Sequence, residues 1–213
     1  MRRIQKQPEP ESFIKWKQDR KNRNKVWKNF NPAIKQAVRQ SLLHEQGHLC
    51  CYCEMSIEEP TCHIDHLIPR SINELLKFDY YNLLASCQGE DEAERKPAYC
   101  GHKRGDQPLP ISPLREDCIQ AFGFTESGEI FARNHSKSRE AAEQTIEILG
   151  LNVPALKRQR SAAIQGFLGE DFDTLPYEIQ QKLLYQLDQL NSSDRYEPFC
   201  SAITFVLRQN MIL

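Results

Sequence analysis

The sequence predicts an α+β fold, mainly helical, with a compact cysteine-rich centre, a structural zinc knuckle and one small β-hairpin. Three observations carry that expectation. The last third repeats apolar residues at helical spacing. The stretch from HLCCYC to HIDHLIP sets short apolar runs between turn-forming residues. Cys50 and Cys53 are separated by two residues, a spacing at which both thiolates reach one ion at about 2.3 Å. With 213 residues, 39% hydrophobic and 27% charged, the chain has apolar content for a packed core, which argues against wholesale disorder. That length suits one domain or a small module with a helical companion.

In chain order, residues 1–40 form a basic aromatic arm. Phe13, Trp16, Trp27 and Phe30 lie among its charges, too many aromatics for a disordered tail. The arm holds twelve Lys or Arg against three Asp or Glu, a formal +9, so the rest sums to −10 within the net −1. It suits phosphates or an acidic partner surface, the alternative being a solvated helix face. Asn31 and Pro32 supply an N-cap and a first helical residue. Ile34, Ala37, Val38 and Leu42 then recur at helical spacing, predicting a helix to about Gln46, ended by Gly47.

Residues 41–105 are the expected core. HLCCYC reads as a short strand and knuckle turn, HIDHLIP as an apolar strand, and Pro97 as the opening of a short helix through AYCGHKRG. Residues 106–213 follow with a hairpin and helices. Residues 118–133 alternate aromatics around Glu126-Ser127-Gly128-Glu129. Residues 139–149, 155–167, 176–190 and roughly 197–209 show 3.6-residue spacing and are expected as a supporting or docking layer. There is no internal repeat or low-complexity tract.

No apolar stretch approaches the roughly 20 residues that span a bilayer, and MRRIQKQPEPES lacks a signal peptide's apolar segment, so a cytoplasmic protein with no membrane contact is expected. In that reducing setting eight cysteines point to metal binding rather than disulfides. Cys50 and Cys53 make one half of a tetrahedral structural zinc site. Cys87 and Cys100, flanking the polar insertion, are the expected second pair. Cys51 competes with Cys50, but a one-residue gap to Cys53 makes a poorer chelate. Cys62, Cys118 and Cys200 read as small buried hydrophobes. The bland alternative is eight unligated core thiols.

Within HIDHLIP, Asp65 and His66 are adjacent at a strand end, so one can hold a metal while the other faces a scissile phosphate. Phosphodiester hydrolysis requires a deprotonated water, a Lewis acid and charge stabilisation at the leaving oxygen. An imidazole titrates near neutrality, which makes His66 the expected general base and Asp65 a ligand of a catalytic divalent ion. Asn82 is expected to fix the loop carrying His66 through its amide, the alternative being a turn-forming Asn. His102 is expected as the ion's second protein ligand. Lys103 and Arg104 are expected to contact nucleic-acid phosphates, against ordinary surface solvation. His63 shares a strand face with Asp65 and is expected to pack against or support the site rather than react.

CCYCE, HIDHLIP, NLLASCQGE and CGHKRG, in this order and at these distances, resemble the HNH nuclease superfamily. The resemblance implies a central ββα-metal finger, with Asp65, His66, Asn82 and His102 as active-site positions and magnesium or manganese as the catalytic ion. SFIKWK, LLHEQGHLCCYC and CGHKRG are most similar to the PtuB nucleases of Septu-type and retron-associated anti-phage systems. That likeness implies an antiviral effector that cuts nucleic acid, DNA favoured, and a PtuA-like ABC-type ATPase as partner. In retron versions a reverse transcriptase and its noncoding RNA-DNA join. The likeness is strongest over residues 41–105 and loose in the C-terminal third. Many HNH proteins place the last ligand directly after a cysteine, whereas Gly101 precedes His102 here, which leaves that ligand open. Two other readings stand beside this one: a nonenzymatic zinc module that binds nucleic acid or protein, and a restriction or homing-type HNH enzyme without an ATPase.

Overall fold

The chain enters through α1 (Glu11–Gln18) and two 3₁₀ turns before the longer α2 (Pro32–Glu45). Asn31 Oδ1 accepts from the amides of Ala33 and Ile34, and Pro32, with no amide to leave unpaired, takes the first helical position. Gly47 ends the helix in the left-handed region (φ 56°), and a Cβ there would lie 2.3 Å from the Tyr196 ring. The computed structural model describes residues 1–89, 98–134, 139–169 and 172–211. Pro97, the expected helix start, lies outside them.

The arm's aromatics are core. Phe13 and Phe30 are buried, and with Trp16, Trp27 and Phe78 they form a cluster whose ring centroids stand 4.9 to 6.1 Å apart. The arm therefore docks through its rings, and also through Lys6, whose buried ammonium pairs with Glu45.

Past the knuckle turn at residues 50–53, β1 (Cys62–His66) pairs antiparallel with β2 (Leu83–Cys87), Cys62 opposite Cys87 and His66 opposite Leu83. Every residue of β2 is buried, whereas β1 alternates, with Cys62, Ile64 and His66 on the buried face and His63 and Asp65 on the other. A five-residue helix, α3 (Cys100–Arg104), then packs on β2. Two short strands followed by a short helix thus make up the cysteine-rich centre.

Next come α4 (Cys118–Ala121) and an antiparallel hairpin, β3 (Phe122–Phe124) with β4 (Ile130–Ala132). Gly128 turns it at φ 79°, where a Cβ would strike the Lys157 carbonyl at 2.1 Å. The last helices are α5 (Arg139–Leu149), α6 (Pro154–Leu168), α7 (Tyr177–Leu187) and α8 (Cys200–Asn210). The last begins later than the spacing predicts, because Pro198 bars Glu197 from helical backbone and Phe199 is left-handed (φ 59°). One hydrophobic core runs from Met1 to Leu207, so the arm, the centre and the helices share an interior. The fold is α+β, and no described helix is long and apolar enough to cross a membrane.

Candidate active site and metal centre

The Sγ atoms of Cys50, Cys53, Cys87 and Cys100 lie within 4.8 Å of one another, all buried. Cys50 and Cys100 are 3.9 Å apart, as are Cys53 and Cys87. A tetrahedral ion with sulfur bonds of about 2.3 Å needs sulfurs about 3.8 Å apart, so these residues suit a metal such as zinc with little rearrangement. Three elements deliver them: the knuckle turn, the end of β2 and the start of α3. The Cys87 amide donates to Cys50 Sγ at 3.3 Å. Burial pushes the Cys53 and Cys100 thiols well up, whereas at Cys50 the surrounding thiols outweigh burial and hold it well down. Cys51, Cys62, Cys118 and Cys200 are buried outside the quartet.

His63 and Asp65 meet α3 on the less buried face of β1. The His63 and His102 rings stack with centroids 5.5 Å apart. Gly101 makes this possible: a Cβ there would lie 2.7 Å from His63 Nε2 and 3.2 Å from Asp65 Oδ2. The position after Cys100 thus contributes space, and His63 fills it. His63 Nδ1 is buried with no hydrogen-bond partner among the described residues, and burial lowers its pKa against the pull of Asp65. Asp65 Oδ1 accepts the His66 amide at 2.9 Å. Its Oδ2 accepts the Tyr52 hydroxyl at 2.6 Å and Arg104 Nη1 at 3.0 Å. A carboxylate offers about four lone-pair positions, so one on Oδ1 remains for a cation.

Arg104 is not placed where a phosphate could reach it. It is 1% exposed, and its guanidinium donates to Tyr52, to Asp65 and to the carbonyls of His66, Leu67 and Gln107. All three of its nitrogens are engaged inside the protein, Nη1 and Nη2 at the strand end and Nε at the turn after α3. Lys103 is exposed, with Nζ on the Glu147 carbonyl at 2.7 Å. Among the described residues the cysteine quartet is the one group of three or more metal-binding side chains drawn within 4.8 Å, so His63, Asp65 and His102 share a face at wider spacing.

His66 lies on the opposite face of β1, 7% exposed, with its ring edge-on to Trp27 at 4.5 Å. Its Nε2 is 3.1 Å from the Lys77 carbonyl. A carbonyl only accepts, so Nε2 carries the proton and Nδ1 keeps its lone pair. Burial lowers the His66 pKa, with the Lys77 carbonyl opposing. Asn82 Oδ1 accepts the Ile68 amide at 2.7 Å, and its Nδ2 donates to the Ile68 carbonyl at 3.0 Å. This amide grips the loop leaving β1 from both sides. His63, stacked on His102, and Asp65 thus both border Gly101 on one face of β1, while strand alternation sets His66 on the other.

No protein-family profile matches the chain. Over 138 residues it is 33% identical to a protein of Vibrio cholerae serotype O1 biovar El Tor, named as a candidate HNH endonuclease of retron Vc95. The match covers 62% of this chain and 66% of that relative, just under two thirds of its length. The similarity supports the HNH endonuclease family.

Sequence reasoning missed three contributors around β1: Tyr52, Trp27 and the space at Gly101. Only the last left a signal. A glycine directly after the last cysteine of the quartet leaves room for another side chain, and the nearest imidazole on the strand face is His63.

Proposed function

We propose that the chain is a metal-dependent HNH endonuclease that hydrolyses phosphodiester bonds, DNA favoured, as the effector of a Septu- or retron-type antiviral system. The observation that carries the reading is one strand end. There, Asp65 is held by three hydrogen bonds beside two imidazoles, and the next residue, His66, is fixed as a neutral ring with a free Nδ1. His66 takes the proton from the attacking water at Nδ1, oriented by the Lys77 carbonyl. Asp65 and His102 would hold the divalent ion, with His63 alongside, and that ion when bound supplies Lewis acidity at the phosphate. Arg104 offsets the charge of Asp65, so this ion is held more weakly than one in the cysteine quartet. Asn82 keeps the loop beyond His66 in register. Cys50, Cys53, Cys87 and Cys100 would hold structural zinc.

The retron setting is supported by the name of the Vibrio cholerae relative. A PtuA-like ATPase partner rests on the likeness to PtuB nucleases alone. His66→Ala should abolish cutting of plasmid DNA and RNA in magnesium or manganese while zinc content and fold persist; full activity in this variant would remove His66 as the base. A second reading, a nonenzymatic zinc module, draws on the Arg104–Asp65 ion pair, which a purely structural strand end also uses. Metal analysis separates the two, because a nuclease requires a second, weakly held ion lost in Asp65→Ala.

A further inference from the structure

Beside His66 the surface carries cations that the nuclease reading has not used. Trp27, whose ring touches His66, has Lys35 Nζ at 5.6 Å and Arg70 Cζ at 5.9 Å from its centroid. Lys35 and Arg39 are one turn apart on α2, hence on one helical face. Arg39 faces the start of β1, close enough for its charge to reach both Cys62 and His63. Arg70 lines an open hollow of about 350 Å³ with Trp27, Lys28 and Lys77, beside Glu74 and Asp106.

These cations are poorly neutralised. Among the described residues neither Lys35 nor Arg70 has a carboxylate within salt-bridge range; Arg39 has only Glu59, at 3.8 Å, and its buried Nε has no partner. Lys77 is paired with Glu74. Like charges one turn apart on a helix repel each other. Burial lowers the Lys35 pKa, and Arg39 and Arg70 add to that effect. A fold that holds Lys35 against the charges of both Arg39 and Arg70, between α2 and the loop after β1, gains from an extended anion lying across them.

We infer that Lys35 and Arg39 of α2, with Arg70 in the loop beyond β1, form a rail for the phosphodiester backbone, guiding the substrate strand past Trp27 to His66. The inference deepens the nuclease reading and rests on it for the identity of the anion. Backbone phosphates are spaced regularly, so a row of cations from two elements fits them better than it fits an isolated anion. The three contacts are sequence-independent and so position the strand rather than select it.

The test is fluorescence anisotropy with a DNA duplex and an RNA hairpin over a salt series in magnesium-free buffer. The wild-type chain is compared with Lys35→Gln/Arg70→Gln, and with Lys182→Gln on α7 as control. In the double variant the slope of log affinity against log salt should become shallower by about 0.9 for each lost contact, with weaker binding throughout. Adding Arg39→Gln should shift it again, and the control should not. A shift with one probe names the nucleic acid, and a shift with both assigns the shared backbone. Wild-type affinity and slope in the double variant, or no binding by the wild-type chain, overturns the rail. Cutting is read separately: a slope shift without cutting sinks the nuclease reading and keeps the rail, while cutting with unchanged variant binding does the reverse.

Discussion

Arg104 shows how much one side chain can do at a strand end. Its guanidinium serves one hydroxyl, one carboxylate and three carbonyls while 1% exposed. Arg104→Met should therefore cost about 3 kcal/mol, since it leaves a partly buried carboxylate and several carbonyls unpaired. Arg104→Lys should recover little, because an ammonium lacks the planar fork. Urea denaturation reads both: a methionine variant within about 0.5 kcal/mol of wild type would show that the network carries no stability, and a lysine variant that close would show that the fork is not needed. His66 makes a pH prediction. Burial lowers its pKa below the usual value near 6.5, and the base acts unprotonated, so the cleavage rate should persist as pH falls past about 6.5 and drop only at the folded value. An acid limb centred above 6.5 would exclude His66 as the base. Stability follows the same sign. Below about 6.5 the unfolded chain binds a proton that the folded chain resists, so folding weakens as pH falls towards the folded pKa.

At the scale of elements, α3 is set by what it omits. Gly101→Ala would place a methyl group 2.7 Å from His63 Nε2, so the His63 ring must turn out of its place beside Asp65. The expected result is a large loss of cutting and of weak divalent binding with zinc content unchanged; wild-type cutting in this variant would show that His63 and Asp65 need not be held so closely. The helices and the hairpin were legible, because period 3.6 and the Glu126-to-Glu129 turn write themselves into short windows. The quartet was legible as well, since a two-residue thiol spacing has few other uses. Arg104 was misread as a surface cation because it follows Lys103. Helical period held the correction: Arg104 is four residues after Cys100, so it shares the face of a buried thiol. The docking of the arm on His66 was illegible, for nothing local in Trp27 names Phe78 or His66 as its neighbour.

For the whole molecule, the question is whether the boundaries drawn near residues 40 and 105 separate independent folding units. The packing argues against it. The core is one cluster; Glu54, in the knuckle, accepts the Ser201 amide of α8 at 2.9 Å, and buried Arg160 of α6 ties Gly128 to Leu151. Arg160 also lies within electrostatic reach of Cys53 and Cys100, so a helix from the last third offsets charge at the proposed zinc site. A structural zinc contributes roughly 10 kcal/mol or more to folding, comparable to the whole stability of a domain. Chelation should thus unfold the chain as one unit. Trp16 and Trp27 report the arm by fluorescence, while far-UV circular dichroism is dominated by the C-terminal helices. Both signals should fall at the same free-zinc concentration, as coincident probes do in a two-state transition. Helical signal that survives after the tryptophans are exposed would instead make residues 106–213 a separate domain, with the metal stabilising the first half alone.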